Sequence, residues 1–580
     1  MRSKTLPATD LWYSQGRINY YYGGQYFAVF LTKLSGAKVE LTYNLMRTFV
    51  AGLAFAMPFS LVHQMVTDRL GRIRTGWKKA LPSVTGILAG ISVSIAGNMH
   101  YVVYGQIIPF IQKLKGEEVS SYWFPDATRY IGFNPDVEDK TIHEFPCYSF
   151  VLGDLHAHVV NVMFVLFLVG LLYTWMRSVR MREAVIERPG RKQFWKRQLL
   201  IPHIILAAVM IGMFRFTNFW DFIIYFVVTG GVVLFTNIVQ FEGKVKKILS
   251  VTVVQAVEII VISYVVSLPF TLQFDSMFKG VGIAQNHSMI HQLLILWGLP
   301  VFLTVLLIVC IIWEKLRGGA NRSLYRLMKA ISVPDLFVII MGLCAIGLIV
   351  IPEFVYVRDI YESRNARANT MFKLTYQAYI LFALMMSYIL VFFVADRIKI
   401  LQETKLDNRY EKKVRLSKVQ ITVGGMAIIL LISTCGYFVN ATTNWFTGFP
   451  LKNKYQTLNA TAYIENAIPE DAAAIRWLNK NITGQPTVLE ACGDSYKDYD
   501  NRVSAMTGLP TVLGWYVHEW LWRNNLDEEN KRRTDVETIY TSTDKKEVQE
   551  LLEKYEVNYI FIGSCEYQKY EGVNVALLSS

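Results

Sequence analysis

Ten uninterrupted apolar runs mark the chain, at about 41–66, 79–98, 149–176, 199–216, 218–241, 249–272, 290–313, 335–355, 372–395 and 419–438. Each has about the 18–20 residues that a helix needs to cross roughly 30 Å of hydrocarbon, so each predicts a transmembrane helix. Residues 25–35, within "INYYYGGQYFAVFLTKLSG", are too short to span and predict an interfacial segment, where tyrosine suits the boundary between lipid and water. Beyond 438 the pattern changes. "EDAAAIRWLNKN" and "DKKEVQELLEKYE" predict amphipathic helices, "PTVLEAC" a strand and "VNYIFIG" a buried strand, an alternation that predicts a small α/β domain. Between them, "RVSAMTGLPTVLGWYVHEWLWRNN" reads as a loop or short helix that faces a ligand or the membrane domain. The expected organisation is an outer-loop remnant with an interfacial helix (1–40), a transmembrane domain (41–438) and an extracytoplasmic α/β domain (439–580).

Composition agrees: 53% hydrophobic and 18% charged residues exclude an ordinary soluble class. The net charge of +13 has a topological origin. "DRLGRIRTGWKK", "RSVRMREAVIERPGRKQFWKR", "EGKVKK", "EKLRGGANRSLYRLMKA" and "DRIKILQETKLDNRYEKKVRLSK" follow alternate spans and hold 29 of the 59 Lys and Arg, which places them in the cytoplasm. The intervening loops face outward; residues 99–148 hold seven Asp or Glu against four Lys or Arg. A multi-pass protein of the cytoplasmic membrane is expected, with membrane lipids as partners and no nucleic acid. Because "MRSKTLPATD" carries neither signal peptide nor span, a first helix is expected ahead of this chain. Cys492 and Cys565 could pair in the tail, and no cysteine spacing suggests zinc.

Ionisable groups near membrane depth are costly, and here they gather at outer helix ends. Asp154, His156 and His158 in "GDLHAH" open the third span. One reading is a solvated helix start; another is an acid, a base or, for Asp154 and His158, a pair of ligands to a divalent metal ion. On a helix those two share a face, and all three residues converge only on irregular backbone. Asn218 and Asp221 in "TNFWD" cap a helix or line a cavity. Six of the nine histidines lie on this side, His143, His287 and His291 among them. "PEFVYVRDIYESRNARANTMFK" brings Glu353, Asp359, Arg364, Arg367, Asn369 and Lys373 to one rim, where arginine forks suit a phosphate and exposed charged anchors are the plainer alternative. His518, Glu519 and Arg523 in "WYVHEWLWR" offer aromatic platforms for sugar or lipid, or an ordinary interface.

"INYYYGGQY", "EFPCYSFVLGDLHAHV", "TNFWD", "PEFVYVRDIYESRNARANTMFKLTYQAY" and "RVSAMTGLPTVLGWYVHEWLWR" together resemble the YYY family of uncharacterised bacterial and archaeal polytopic membrane proteins, over nearly the whole chain. That family looks like a distant relative of the GT-C glycosyltransferases, which take sugars from polyprenyl-phosphate donors at the outer face. The resemblance implies a GT-C-like α-helical polytopic fold and glycosyl transfer from such a donor. Under that reading, residue type and side of the membrane make Asp154, His156, His158, Glu353 and Asp359 the catalytic candidates and Arg364, Arg367 and Lys373 those for phosphate. Tyr20, Tyr21, Tyr22, Asn218, Asp221, Asn369, His518, Glu519 and Arg523 would hold substrate. An acidic stretch precedes the tyrosines in such proteins; here Asp10 is the one acid before them, so the chain is expected to begin within that loop. The rival class is a transporter or a non-catalytic binder of lipid-linked glycan. With charge at one rim and no inverted repeat, the outer-face site is preferred.

Overall fold

The computed structural model describes residues 1–579 apart from 72–75, 183–190, 277, 318–322, 360–363, 398–410 and 447–456. Parts of the basic segments, most of the last one included, therefore lie outside the described residues. The chain divides into two compact units. One combines Met1–Met46, Pro269–Phe278 and Asn453–Ser580; the other comprises Arg47–Leu268 and Lys279–Lys452.

All ten apolar runs are helical. After α1 (Gly23–Ser35) come α2 (Val39–Leu70), α3 (Leu81–Ser94), α4 (Pro146–Leu152), α5 (Ala157–Arg182), α6 (Pro202–Thr217), α7 (Phe219–Gln240), α8 (Val245–Thr271), α9 (Ile290–Arg317), α10 (Val333–Val350), α11 (Ala368–Phe393) and α12 (Glu411–Thr434). Among the described residues, eight helices are long and apolar enough to cross a membrane; α3 and α6, of 14 and 16 residues, are shorter. The expected span 149–176 is two helices: α4 stops at Gly153, whose φ of 71° is a left-handed cap that glycine adopts without a Cβ clash, and α5 begins at Ala157.

Helix α11 forms the axis of this unit, packed along α3, α9, α10 and α12, with almost every side chain buried. Lys373 and Gln377 lie near one end and Tyr388 near the other. The ten residues between them, Ala378–Ser387, span about 15 Å and include no ionisable group except the buried Tyr379, whose hydroxyl donates to the Ala96 carbonyl (2.5 Å). Outside the helices, β1 (Val281–Ile283) pairs antiparallel with β2 (Val355–Val357), fixing the loop before α9 to the loop before α11.

The other unit carries the α/β part. α13 (Pro469–Asn481) leads into β3 (Thr487–Leu489), which is joined to the parallel strand β4 (Val557–Ile560) through α14 (Arg502–Thr507), α15 (Tyr516–Arg523), α16 (Leu526–Thr541) and α17 (Lys545–Lys554). β3 is buried throughout, whereas Asn558 and Tyr559 of β4 are exposed, so β4 is not the buried strand its sequence suggests. Buried charge knits the unit together. Arg502 donates from Nε to Asp471 Oδ2 (2.6 Å) and from Nη2 to Glu566 Oε2 (2.9 Å), and Glu490 accepts the first N–H groups of α14 from Val503 and Ser504. Cys492 and Cys565 are free thiols; their sulfurs face the carbonyls of Gly514 and Tyr499 instead of each other.

Residues 2–19 belong to this same unit. Arg2 donates to the carbonyls of Thr507 and Ile482 (2.7 Å each), Ser14 N–H to the Thr511 carbonyl (2.8 Å), and Gly514 N–H to the Trp12 carbonyl (2.7 Å).

Candidate functional site

The break between α4 and α5 builds the densest polar group of the helical unit. Irregular backbone from Gly153 to His156 turns Asp154 back on the start of α5, and the three residues converge. Asp154 Oδ1 accepts the His156 backbone N–H (2.7 Å) and pairs with His156 Nδ1, while Oδ2 lies 3.9 Å from His158 Nε2. His156 is 56% exposed and Asp154 17%, so the carboxylate sits at the mouth of the group and the first imidazole projects from it. His158 is buried edge-on between Phe372 and Tyr376, and its Nε2 makes no hydrogen bond. Burial pushes the Asp154 carboxyl up, but the His156 hydrogen bond and imidazole charges outweigh it and hold it below its ordinary value. The hydrogen bond to Asp154 raises His156 against the opposing effect of burial.

Gly153 has a second role besides its positive φ. The Arg47 guanidinium of α2 lies flat against it, so a Cβ there would fall 1.6 Å from Nη2. Lys373, one turn into α11, interacts electrostatically with Asp221, Glu144 and Asp154. Asp221, fully buried in the first turn of α7, accepts from Asn161 Nδ2 (2.5 Å) and Asn218 Nδ2 (2.8 Å) on Oδ2, while Oδ1 has no hydrogen bond. Thr217 donates to Asn161 (2.8 Å) and Tyr225 to Gln377 (2.9 Å), extending the polar group across α5, α6, α7 and α11. Glu144 joins it from the preceding loop; burial raises its carboxyl while the ion pair with Arg129 (2.8 Å) opposes that rise.

Other predicted site residues form a separate hydrogen-bonded network. Arg367, 2% exposed, donates from Nε to Asp139 Oδ2 (2.5 Å) and from Nη1 to Glu353 Oε2 (2.9 Å). Glu353 also accepts from the Ser288 N–H (2.8 Å) and hydroxyl (2.6 Å), and its carbonyl meets His287 Nδ1 (2.8 Å). Two carboxylates thus neutralise the guanidinium expected to bind phosphate, and the expected catalytic Glu353 anchors a loop. Asn369 donates to Asp359 (2.6 Å), while Arg364 and His291 are exposed. A third group overturns the expectation that charge gathers at one rim: at the opposite helix ends Arg69 pairs with Asp335 and with Asp396 (2.5 Å), and Arg177 with Asp68 (2.7 Å).

In the α/β unit the tyrosine triplet is packing material. Tyr20 lies between Tyr21 (4.6 Å) and Trp522 (5.0 Å), Tyr21 is buried beside Phe274, and Tyr22 meets Phe270 edge-on. Glu519 is wholly buried, and Arg523 is held by Glu519 Oε2 (2.8 Å) and Asp10 Oδ2 (2.5 Å), so neither is a surface group. His518 lies near the surface, with Ser495 Oγ 2.7 Å from Nδ1.

For a divalent metal, Asp154 and His158 supply two donors. Among the described residues no three His, Cys, Asp or Glu side chains assemble as a ligand set. A protein-held zinc needs three or four, so these residues do not fit one.

Sequence reading missed Arg47, Arg129, Asp139, Glu144, Asn161 and Gln377. Asn161 and Gln377 carried a signal, as amides inside apolar runs; Arg47 and Asp139 have partners remote in sequence.

Helices of membrane-spanning length surrounding a buried polar centre define a polytopic α-helical membrane protein. The chain belongs to the family described as uncharacterized membrane protein (DUF2298), which matches residues 1–334 and 322–382. No curated protein matches it by sequence. Among solved structures, the oligosaccharyltransferase of the archaeon Archaeoglobus fulgidus in its apo form is similar at 10% identity and a TM-score of 0.41, over 95% of this chain and 62% of that one. The same organism's AglB with an inhibitory peptide and a dolichol-phosphate gives 10% identity and 0.39, with the same coverage. Its complex with Zn and sulfate gives 10% and 0.38, over 95% and 60%. This chain thus spans about three-fifths of the length of those enzymes.

Proposed function

We propose that the helical unit is a transferase centre that moves a sugar from a lipid phosphate to an acceptor hydroxyl, at the extracytoplasmic end of its helices. The observation that carries this reading is the position of Asp154. Oδ1 is engaged by His156, and Oδ2, 3.9 Å from the buried His158 Nε2, is the oxygen available to an acceptor hydroxyl on a carboxylate that is 17% exposed. Oδ2 takes the proton of the acceptor hydroxyl. The hydroxyl oxygen bonds to the anomeric carbon, and the bond from that carbon to the phosphate oxygen breaks, leaving its electron pair on the lipid phosphate. Lys373 opposes the charge that develops there, with the exposed Arg364 as a second cation. Asn161, Asn218 and Asp221 keep the floor of the site rigid.

A conduit would need polar groups continuing along α11. The 15 Å interval after Gln377, which holds no ionisable side chain but Tyr379, argues against one and for a site at one end. The basic segments follow the opposite helix ends, which supports the extracytoplasmic assignment.

The test is release of polyprenyl phosphate from a radiolabelled polyprenyl-phosphate sugar by the full chain in nanodiscs. Asp154→Asn should lower turnover about 10²–10⁴-fold with unchanged thermal stability. Equal turnover in variant and parent sinks the assignment.

A further inference from the structure

We infer that Arg215, on the membrane-facing side of the α6–α7 hairpin, docks the phosphate of a lipid. It is no part of the transferase centre, and the inference does not depend on that reading.

The first observation is an unanswered charge. Arg69, Arg177, Arg367 and Arg397 of the helical unit are each paired with a carboxylate. Arg215 lies in an apolar run, in the last turn of α6, and among the described residues it meets no carboxylate and makes no hydrogen bond. A cation near membrane depth is costly, so one without a counter-charge from the protein calls for an anion from elsewhere.

The second is how the side chain is held. Its guanidinium carbon stands 5.6 Å from the centre of the Phe219 ring and 5.1 Å from that of Phe222, in the first turn of α7. Rings hold a guanidinium by its face. The N–H edge, the part that forks around a phosphate, is left to an acceptor outside the protein.

The third is where it points. Thr217 donates to Asn161 at the floor of the polar centre, and Arg215, two residues earlier, is turned about 200° from it around the helix. On that outer side Ile223 and Val227 of α7 and Tyr264 of α8 are exposed, as lipid-facing side chains are, and Tyr264 interacts electrostatically with Arg215. The chain turns at Asn218, so the long side chain of Arg215 reaches the level of lipid headgroups. The ligand is therefore a phosphate carried on apolar chains: a phospholipid of the bilayer, or a polyprenyl phosphate.

The test is native mass spectrometry of the full chain in detergent with added phosphatidylglycerol or polyprenyl phosphate. Diacylglycerol and polyprenol supply the same chains without phosphate. The parent should retain a phosphate-bearing lipid, with Arg215→Gln weakening retention about tenfold and Arg215→Lys, which keeps the charge and loses the fork, about threefold. No carboxylate is orphaned, so both variants should melt with the parent in lipid-free detergent. Dependence on Arg215 for phosphatidylglycerol supports the inference with bilayer phospholipid as the source; dependence for polyprenyl phosphate alone supports it with that lipid as the source. Retention of neither by the parent, or equal retention by Arg215→Gln, overturns it. So does equally tight, Arg215-dependent retention of diacylglycerol or polyprenol.

Discussion

Asp154 and His156 are joined twice through one carboxylate oxygen, which takes both the backbone N–H and ring Nδ1 of the residue two places on. The pair is an ion pair with opposite shifts, and its pH behaviour follows. The Asp154 carboxyl lies below 3.8 and the His156 imidazole above 6.5. Turnover should plateau between those values, falling on the acid side as Asp154 protonates and on the alkaline side as His156 loses its proton. The stability contributed by His156 is complete below 6.5 and disappears as pH rises through its folded value; that from Asp154 is complete above 3.8 and disappears on acidification. In a pH–rate profile, His156→Gln should abolish the alkaline limb; an unchanged limb refutes the pairing.

Gly153→Ala should be among the most disruptive single-methyl changes in the chain. Left-handed backbone costs an alanine roughly 1–3 kcal/mol, and the new methyl overlaps Arg47 as well. A lower melting temperature in detergent is expected, partly restored by adding Arg47→Ala. Additive losses in the double variant would deny the contact.

Arg367→Met should cost about 3–5 kcal/mol, because Asp139 and Glu353 are left buried without their cation. The expected signature is loss of folded protein, with unchanged KM for lipid-linked donor in what survives. A raised KM at unchanged melting temperature would instead mean that the guanidinium contacts phosphate.

Glu519 is raised by burial first and by Asp10 next, against the pull of Arg523; Asp10 is raised by burial too. A carboxyl raised on folding keeps its proton longer in the native state, so the stability of this unit should fall as pH climbs above the ordinary glutamate value of 4.5, by up to roughly 1.4 kcal/mol per pH unit. Glu519→Gln should flatten that slope. Hydrogen exchange at Trp12 and Ser14 between pH 5 and 8 reads it, and a slope identical to the parent's would remove the explanation.

How much of this was legible in the sequence depends on how local each cause is. Among the described residues the apolar runs gave every helix of membrane-spanning length, because burial in lipid depends on composition along one segment. The break at Gly153 was hidden inside an apparently continuous run, since hydropathy is blind to a positive φ. β1 and β2, three residues each and more than 70 apart, left no periodicity to read. α16 was overlooked because "LDEENKRRTDVETIYT" lacks an apolar stripe, although Asn525, which accepts from Glu528 N–H, is a readable cap. At the centre, Asp154, His158, Asp221 and Lys373 stood out as costly groups in apolar surroundings. That Arg367 and Arg523 were already taken depended on Asp139 and Asp10, 228 and 513 residues away.

The interval along α11 that carries no ionisable side chain but Tyr379 also bears on energetics. A membrane potential drops mostly across material of low polarisability, and Ala378–Ser387 is such a layer. Charge rearranged around Lys373 alone crosses little of that drop. Turnover should therefore proceed at the same pace in energised and de-energised vesicles, driven by the chemical energy of its donor and not by voltage.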